Sequence, residues 1–269
     1  MSNLQLRLLT AAVGLPAVAA LTWVGGWPFA IAAAVVALLA AAEFTHGWLL
    51  PSMPLSAVIP QFPMFGATAV IVGGAHTGLS FPVLGLLVAL AVGALGYSRT
   101  NALGPRKPLR IAAWCLFYVG VLFSTIVLVR DLDHGREWVF LGLLSTFAVD
   151  TGAYAVGRLV GRHPMAAGIS PKKTWEGAVG GYVAGVATVF ALNALLDTGE
   201  GALVIAPLAL LLPIATQAGD LVKSAIKRRM GVKDASGFFP GHGGFLDRLD
   251  SVLFAMPLLY VFLRAIGHD

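Results

Sequence analysis

Residues 201–222 read GALVIAPLALLLPIATQAGDLV, a long apolar run in which Asp220 is the sole charged side chain. A helix of about 20 apolar residues is needed to cross the roughly 30 Å hydrocarbon core of a bilayer. The run is therefore predicted to be a membrane-spanning helix with an acid near one end. An acid in that place is costly unless it faces a partner or a water-filled cavity.

The rest of the chain has the same character. Of its 269 residues, 58% are hydrophobic and 12% are charged, and the mean hydropathy is +0.83. Soluble domains are about 45–50% apolar and about 25% charged, so this composition excludes an ordinary soluble fold. Nine membrane helices are predicted, at 7–24, 27–45, 56–73, 79–97, 110–129, 138–157, 175–196, 201–222 and 251–267. Because only Gly25 and Gly26 separate the first two, eight crossings is an alternative.

The predicted fold class is thus an all-α, polytopic integral membrane protein. Residues 1–269 are interpreted as a single membrane domain, in which 1–100 form generic membrane helices and 101–269 carry the candidate site. Most of the Lys and Arg residues lie in three stretches, 98–110, 158–173 and 223–250. The positive-inside rule places these stretches in the cytoplasm, which puts the N-terminus inside and the C-terminus outside. We expect a bacterial cytoplasmic membrane with the site facing the cytoplasm.

The last basic stretch contains the strongest candidate chemistry. If the helix of 201–222 continues, Asp220, Ser224 and Lys227 share one face. Asp247 and Asp250 follow within residues 233–251, KDASGFFPGHGGFLDRLDS. Carboxylates among basic side chains suit Mg²⁺ together with a polyphosphate. Each residue alone is compatible with a helix cap, a glycine turn or an interfacial ion pair, but their concentration in one short stretch favours a site.

A second polar region precedes the helix of 175–196. Asp150, Tyr154 and Arg158 are predicted to form one helical stripe. Ser170 before Pro171 is typical of a helix N-cap, which would place Lys172 and Lys173 beside a helix N-terminus suited to phosphate. The alternative is a capped helix with lysines that reach for the interface.

Two further features are assigned no chemistry. Gly177, Gly181 and Gly185 repeat at a spacing that favours close helix packing, either within the chain or in a dimer. Glu43 and His46, near the end of the second predicted helix, are expected at the membrane interface.

The C-terminal motif resembles a known family. The pattern is Ser224-x-x-Lys227-Arg228-x4-Lys233-Asp234-x5-Pro240-x-His242-Gly243-Gly244-x2-Asp247-Arg248-x-Asp250. It is similar to the signature of the phosphatidate cytidylyltransferases, or CDP-diacylglycerol synthases, and residues 170–177 (SPKKTWEG) resemble a second stretch of that family. The resemblance is sharpest over 146–181 and 215–251.

The resemblance implies transfer of CMP from CTP to phosphatidate, which gives CDP-diacylglycerol and pyrophosphate. Mg²⁺ is the implied cofactor, with Mn²⁺ or an additional monovalent cation as alternatives. The implied partners are CTP, phosphatidate and membrane lipids, with no nucleic acid, and a homodimer is compatible with the glycine stripe. The catalytic residues implied are Asp220, Asp247, Lys227 and Arg248, and the metal ligands are Asp220, Asp247 and Asp250. The substrate-binding residues implied are Lys172, Lys173, Thr174, Ser224, Arg228, Lys233, His242, Gly243, Gly244, Asp150 and Tyr154.

Other classes of membrane protein fit the sequence less well. A lipid-alcohol kinase has a related acid- and glycine-rich segment, but the complete motif favours cytidylyl transfer. A CDP-alcohol phosphotransferase motif and a Walker-type phosphate loop are absent from the sequence. A transporter would more often place its charges near the midplane on broken helices, whereas here they cluster at helix ends.

Overall fold

The computed structural model describes residues 3–49, 62–78, 114–230 and 244–269. The chain divides into two compact units, of which unit 1 is Met1–Asp131 with Val232–Arg248 and unit 2 is Leu132–Gly231 with Leu249–Asp269. The first helices are α1 (Asn3–Val24), α2 (Gly26–Leu49), α3 (Phe62–Gly74), a π-helical turn (Leu116–Val121) and α4 (Leu122–Arg130). The remaining elements are α5 (Gly135–Val160), β1 (Pro164–Ala166), β2 (Ser170–Thr174), α6 (Trp175–Leu196), α7 (Ala202–Met230), α8 (Leu246–Leu249) and α9 (Val252–Ile266).

In unit 1, α1 and α2 are separate helices. The chain breaks at Gly25, where φ is +69°, a value that glycine adopts at little cost. The Arg130 side chain fills the break, since its Nε donates to the Thr22 carbonyl at 2.7 Å and its Nη2 to the Trp23 carbonyl at 3.2 Å. A side chain at Gly25 would collide with this guanidinium.

Unit 2 is built around the tight packing of α6 on α5. Gly177, Gly181 and Gly185 are buried, and a Cβ at Gly181 would lie 2.7 Å from the Val149 carbonyl oxygen of α5. The predicted close packing along the glycine stripe is therefore confirmed within the chain. The opposite side of α6 exposes large apolar residues such as Val179, so small residues face inward and large ones outward, which is typical of a helix in lipid.

Four described helical segments are long and apolar enough to cross a membrane: Gly26–Phe44, Gly135–Val160, Trp175–Leu196 and Ala202–Arg229. Shorter apolar helices are Ala12–Val24, Leu116–Arg130 and Val252–Ile266. An all-α membrane protein is thus supported, with one small β-hairpin added. The predicted helix 79–97 lies outside the described residues. The helix predicted at 201–222 continues to Met230 and includes Pro207 and Pro213.

The predicted N-cap at Ser170 is wrong. Residues Ser170–Thr174 form β2, which pairs antiparallel with β1. The helix begins at Trp175, and its cap is Thr174, whose extended backbone lets the hydroxyl accept the N–H of Gly177 at 3.2 Å. Because a later residue in the same stretch caps the helix equally well, Lys172 and Lys173 lie in a strand rather than at a helix N-terminus.

Candidate active site

The polar end of α7 supplies the first part of the candidate site. Since α7 runs unbroken to Met230, Asp220, Ser224 and Lys227 share one face as predicted. The Ser224 hydroxyl donates to the carbonyl of Asp220, one turn earlier, at 2.8 Å. The acid and the basic residues therefore follow the apolar part of α7 on one continuous helix.

Six side chains of unit 2 form a continuous series of polar contacts, which we call the carboxylate–lysine chain: Asp150, Lys173, Asp220, Lys223, Asp250 and Ser251. Lys173 Nζ lies 2.6 Å from Asp220 Oδ2. Lys223 Nζ lies 3.6 Å from Asp220 Oδ1 and also pairs directly with Asp250. The carboxylate–lysine chain therefore connects the hairpin, α7 and the segment that precedes α9.

Ser251 extends the series to α5. Its backbone N–H donates to Asp250 Oδ1 at 2.8 Å, and its hydroxyl donates to Asp150 Oδ2 at 3.2 Å. Ser251 is buried, and Asp150 is on the surface of the described structure. Ser251 thus links two carboxylates that are distant in sequence, Asp250 through its backbone N–H and Asp150 through its hydroxyl.

Both members of the central ion pair of the carboxylate–lysine chain are buried. Lys223 is 9% exposed and Asp250 is 7% exposed. Close approach of the backbone at Gly219 permits this, because a Cβ there would collide with the Asp250 carbonyl oxygen. Buried charges are tolerated when they are paired and hydrogen-bonded, and here the ammonium of Lys223 lies between two carboxylates.

The charge balance and donor types suit a hard cation. With all groups ionised, the three carboxylates exceed the two ammonium groups, and carboxylate oxygens are the ligands that Mg²⁺ prefers. Within the described part of the chain, no three His, Cys, Asp or Glu side chains gather closely enough to hold a metal ion. The side chain of Asp247, the remaining predicted ligand, lies outside the described residues, so the set of Asp220, Asp247 and Asp250 stays a prediction.

The hairpin that carries Lys173 is fastened by Glu176. Glu176 Oε2 accepts the backbone N–H groups of Arg162 at 3.1 Å and His163 at 3.3 Å, and Oε1 lies 2.5 Å from His163 Nδ1. The N–H of Trp175 also donates to the His163 carbonyl at 3.0 Å. Both ends of the hairpin are therefore held at the start of α6, which fixes the strand from which Lys173 reaches Asp220.

The other predicted site residues have varied surroundings. Arg228 Nε donates to the Ile169 carbonyl at 3.1 Å and so joins the end of α7 to the hairpin. Arg158 Nη1 donates to the Tyr154 hydroxyl at 2.8 Å, which confirms the predicted stripe. Lys172 is exposed and Lys227 is half-buried. Lys233, His242, Gly243 and the side chain of Arg248 lie outside the described residues, and Gly244 is buried beside Glu43 in unit 1.

Sequence reasoning missed several of the contacting residues. The motif that begins at Ser224 does not include Lys223, although Lys223 is the central group of the carboxylate–lysine chain. Glu176 and Ser251 lie within the stretches that resemble the family, but the sequence indicates no role for either. Glu43 was assigned to the interface, even though an acid in an apolar helix is a functional candidate by default.

Comparison with known proteins identifies the family of the chain. The model of the Cytidylyltransferase family matches residues 5–266. The chain belongs to this family. Membership covers the N-terminal helices as well as the two motif regions, so the whole chain, and not only its C-terminal part, follows the family pattern.

Curated relatives cover nearly the full length. A phosphatidate cytidylyltransferase of Staphylococcus aureus is 31% identical over 263 residues, which is 97% of this chain and 99% of the relative. Phosphatidate cytidylyltransferases of Staphylococcus haemolyticus and Staphylococcus epidermidis are 33% and 31% identical, each again over 97% of this chain and 99% of the relative.

Family membership gives the carboxylate–lysine chain a chemical context. A cytidylyltransferase brings a nucleoside triphosphate to a second substrate, and catalysis of such transfers depends mainly on positioning and on compensation of negative charge.

Proposed function

We propose that this protein is a phosphatidate cytidylyltransferase that makes CDP-diacylglycerol and pyrophosphate from CTP and phosphatidate. The observation that carries the proposal is full-length similarity to relatives of that name, at 31–33% identity over 97% of the chain. The carboxylate–lysine chain supports it, because it gathers acids and lysines at the ends of membrane helices, where a lipid phosphate and a water-soluble nucleotide can meet.

The reaction is a single phosphoryl-group substitution. An oxygen of the phosphatidate phosphate attacks the α-phosphorus of CTP, and the bond from that phosphorus to the oxygen bridging to the β-phosphate breaks. The bonding electrons leave with pyrophosphate. A phosphate oxygen is already ionised near neutral pH, so the step requires no general base, and His242 serves as a phosphate ligand or orienting group rather than a base.

Basic side chains bind the two polyanionic substrates and hold them in line. Lys173 is held by Asp220 at the hairpin, and Arg228 is held by the Ile169 carbonyl. Pairing with a carboxylate or carbonyl restricts each cation to few conformations, so less entropy is lost when phosphate binds. The other residues assigned to substrate binding and charge compensation are Lys172, Thr174, Ser224, Lys227, Lys233, Gly243, Gly244, Arg248, Asp150 and Tyr154.

Asp220, Asp247 and Asp250 would hold Mg²⁺, which neutralises phosphate charge and stabilises the leaving pyrophosphate. Lys223 lies between Asp220 and Asp250 and already supplies one positive charge there. It therefore limits the repulsion between these carboxylates.

The proposed topology has nine crossings, a cytoplasmic N-terminus and an external C-terminus. The basic stretches at 98–110, 158–173 and 223–250 support it through the positive-inside rule. The site then faces the cytoplasm of a bacterial cell, where CTP is made, and the lipid phosphate lies in the adjacent leaflet. A homodimer is compatible with this arrangement.

The test is pyrophosphate release by purified protein in detergent, with CTP, phosphatidate and Mg²⁺, compared with the Asp220→Asn and Asp247→Asn variants. We expect release only when both substrates and the metal are present, and a loss of roughly 10²-fold or more in each variant, because each removes a ligand of the cation. Asp131→Asn, whose carboxylate contacts His76 at 2.7 Å in unit 1, is the matched control and should keep its activity.

The products distinguish this proposal from its rivals. Formation of CDP and a phosphorylated lipid alcohol would identify a lipid-alcohol kinase. Absence of turnover with any nucleotide, in protein shown to be folded by thermal unfolding, would contradict the enzymatic proposal as a whole.

A further inference from the structure

Glu43, near the end of α2, contacts the backbone just before Asp247. Its Oε1 accepts the N–H of Phe245 at 3.0 Å, and its Oε2 accepts the N–H of Leu246 at 2.9 Å. These residues all belong to unit 1. Hydrogen bonds from two successive amides to the two oxygens of one carboxylate are charge-assisted and fix both the position and the direction of the backbone.

Gly244 makes this contact sterically feasible. It is buried, and a Cβ built on it would collide with both carboxylate oxygens of Glu43. A glycine is therefore required if the carboxylate is to reach the next two amides. This explains one glycine of the His242-Gly243-Gly244 run through close approach of a side chain of the protein itself.

The cost of placing an acid in an apolar helix indicates that Glu43 does more than fill space. Glu43 lies within the apolar segment Gly26–Phe44 and is half-buried. An acid in such a segment is expensive, so acids there are usually functional. An apolar side chain would fill the space at lower cost, but it would leave the two amides without this acceptor.

We propose that Glu43 is a positioning residue for cytidylyl transfer, which holds residues 244–246 so that Asp247 and Arg248 are presented in a fixed orientation. It touches neither substrate and acts through the backbone that it binds. The roles of Asp247 and Arg248 rest on the proposed function, whereas the contact between Glu43 and the two amides does not.

The first experiment compares Glu43→Gln with Glu43→Asp, with Asp131→Asn as the control acid of unit 1. Gln offers one acceptor and turns an N–H₂ group toward a backbone donor, so we expect kcat to fall roughly 10–100-fold, the range for loss of a partner that orients a catalytic ligand. KM for CTP should change less than kcat. Asp keeps both oxygens on a shorter side chain and should recover part of the loss.

Hydrogen exchange supplies a readout that does not depend on turnover. In Glu43→Gln, peptides that cover residues 244–249 should exchange faster, while peptides from α6 should be unchanged. Unchanged kcat in Glu43→Gln, or faster exchange without loss of kcat, would overturn the positioning role. Faster exchange throughout the protein would also overturn it, because the carboxylate would then only stabilise the fold.

A double-mutant cycle tests the contact directly. Gly244→Ala should reduce kcat because its methyl group collides with Glu43, and the same change should cost less when Glu43→Ala has made room. Losses that simply multiply would show that the two residues do not interact and would contradict the proposal. If Glu43→Ala does not accumulate, Glu43→Asp, which shortens the side chain by one carbon, serves in its place. If wild-type protein lacks pyrophosphate release, the proposed function fails, while the exchange result still reports on the contact.

Discussion

Two polar clusters of unit 2, about 22 Å apart along α5, differ in construction. Asp150, in the second half of α5, belongs to the carboxylate–lysine chain. The other cluster lies beside the start of α5 at Gly135, and we call it the C-terminal clasp. It consists of Asp133, Glu200, Arg264, His268 and Asp269. In the clasp, His268 Nε2 lies 3.1 Å from Glu200 Oε1, and Nδ1 lies 3.3 Å from the Asp133 carbonyl oxygen.

The difference lies in what the charged groups contact. The carboxylate–lysine chain is made mainly of side-chain pairs, in which an ammonium can exchange a carboxylate for a phosphate. The clasp uses backbone groups: the Asp133 N–H donates to the Asp269 carbonyl at 3.3 Å, and Arg264 Nη1 donates to the His268 carbonyl at 2.9 Å. Backbone partners cannot be exchanged without moving the chain. We therefore expect changes in the first cluster to affect turnover and cation dependence, and changes in the clasp to affect stability alone.

The largest effect is expected from Lys223→Met, which removes the central cation of the carboxylate–lysine chain but keeps a side chain of similar length. Loss of one partner from a buried ion pair costs about 3–5 kcal/mol, so the apparent melting temperature should fall by on the order of 10 °C for a chain of this size. Because Asp250 then loses its ammonium partner and Asp220 keeps only Lys173, added Mg²⁺ should restore part of the loss.

Thermal unfolding over a series of Mg²⁺ concentrations measures both effects. Lys172→Met is the matched control, since Lys172 is exposed, and it should melt close to the wild-type temperature at every concentration. A Lys223→Met protein as stable as wild type, or one indifferent to Mg²⁺, would show that the side-chain pairs do not behave as exchangeable cation sites.

An intermediate effect is expected from Glu176→Gln. This change weakens the contacts of Glu176 with Arg162 and His163, which hold the hairpin, but alters no member of the carboxylate–lysine chain. Lys173 would lose its fixed approach to Asp220, and we expect kcat/KM to fall roughly 10-fold, less than the ~10²-fold that a 1 Å misplacement can cost. Glu137→Gln, whose acid pairs with the adjacent Arg136 at 2.5 Å, is the control. Equal activity of both variants would mean that the hairpin does not position Lys173.

Residue patterns predicted the helices better than the contacts between them. Long apolar runs located the described helices, and i to i+4 spacing placed Asp220, Ser224 and Lys227 on one face, because both depend on local geometry. The predicted bounds of α6, 175–196, are confirmed. Its cap was wrongly assigned to Ser170, because Ser170 and Thr174 are both good caps and β-pairing of residues 170–174 with β1 decides between them.

The partners of Lys223 and Glu43 could not be predicted from local sequence patterns, because they are distant in sequence. Lys223 meets Asp250 across 27 positions of sequence, and Glu43 meets Phe245 across 202. Motif spacing identified Asp220 and Asp250 as members of one site, but nothing in the spacing indicated that a lysine lies between them. The acid in α2 was a usable signal, since an ionisable group in an apolar helix implies a partner even when the partner is unknown.

The smallest effect is expected from His268→Ala in the C-terminal clasp. His268 is 9% exposed and its ring lies edge-on to Trp138, with 5.6 Å between the ring centroids. Loss of its hydrogen bonds and this ring contact should lower the free energy of unfolding by about 1–2 kcal/mol, while kcat and KM of the folded protein stay at wild-type values. Arg264→Lys, which keeps the charge but not the geometry of the bond to the His268 carbonyl, should destabilise less. Thermal unfolding and pyrophosphate release on the same preparations check both halves of this expectation, and a drop in kcat without a drop in melting temperature would mean that the clasp, too, takes part in turnover.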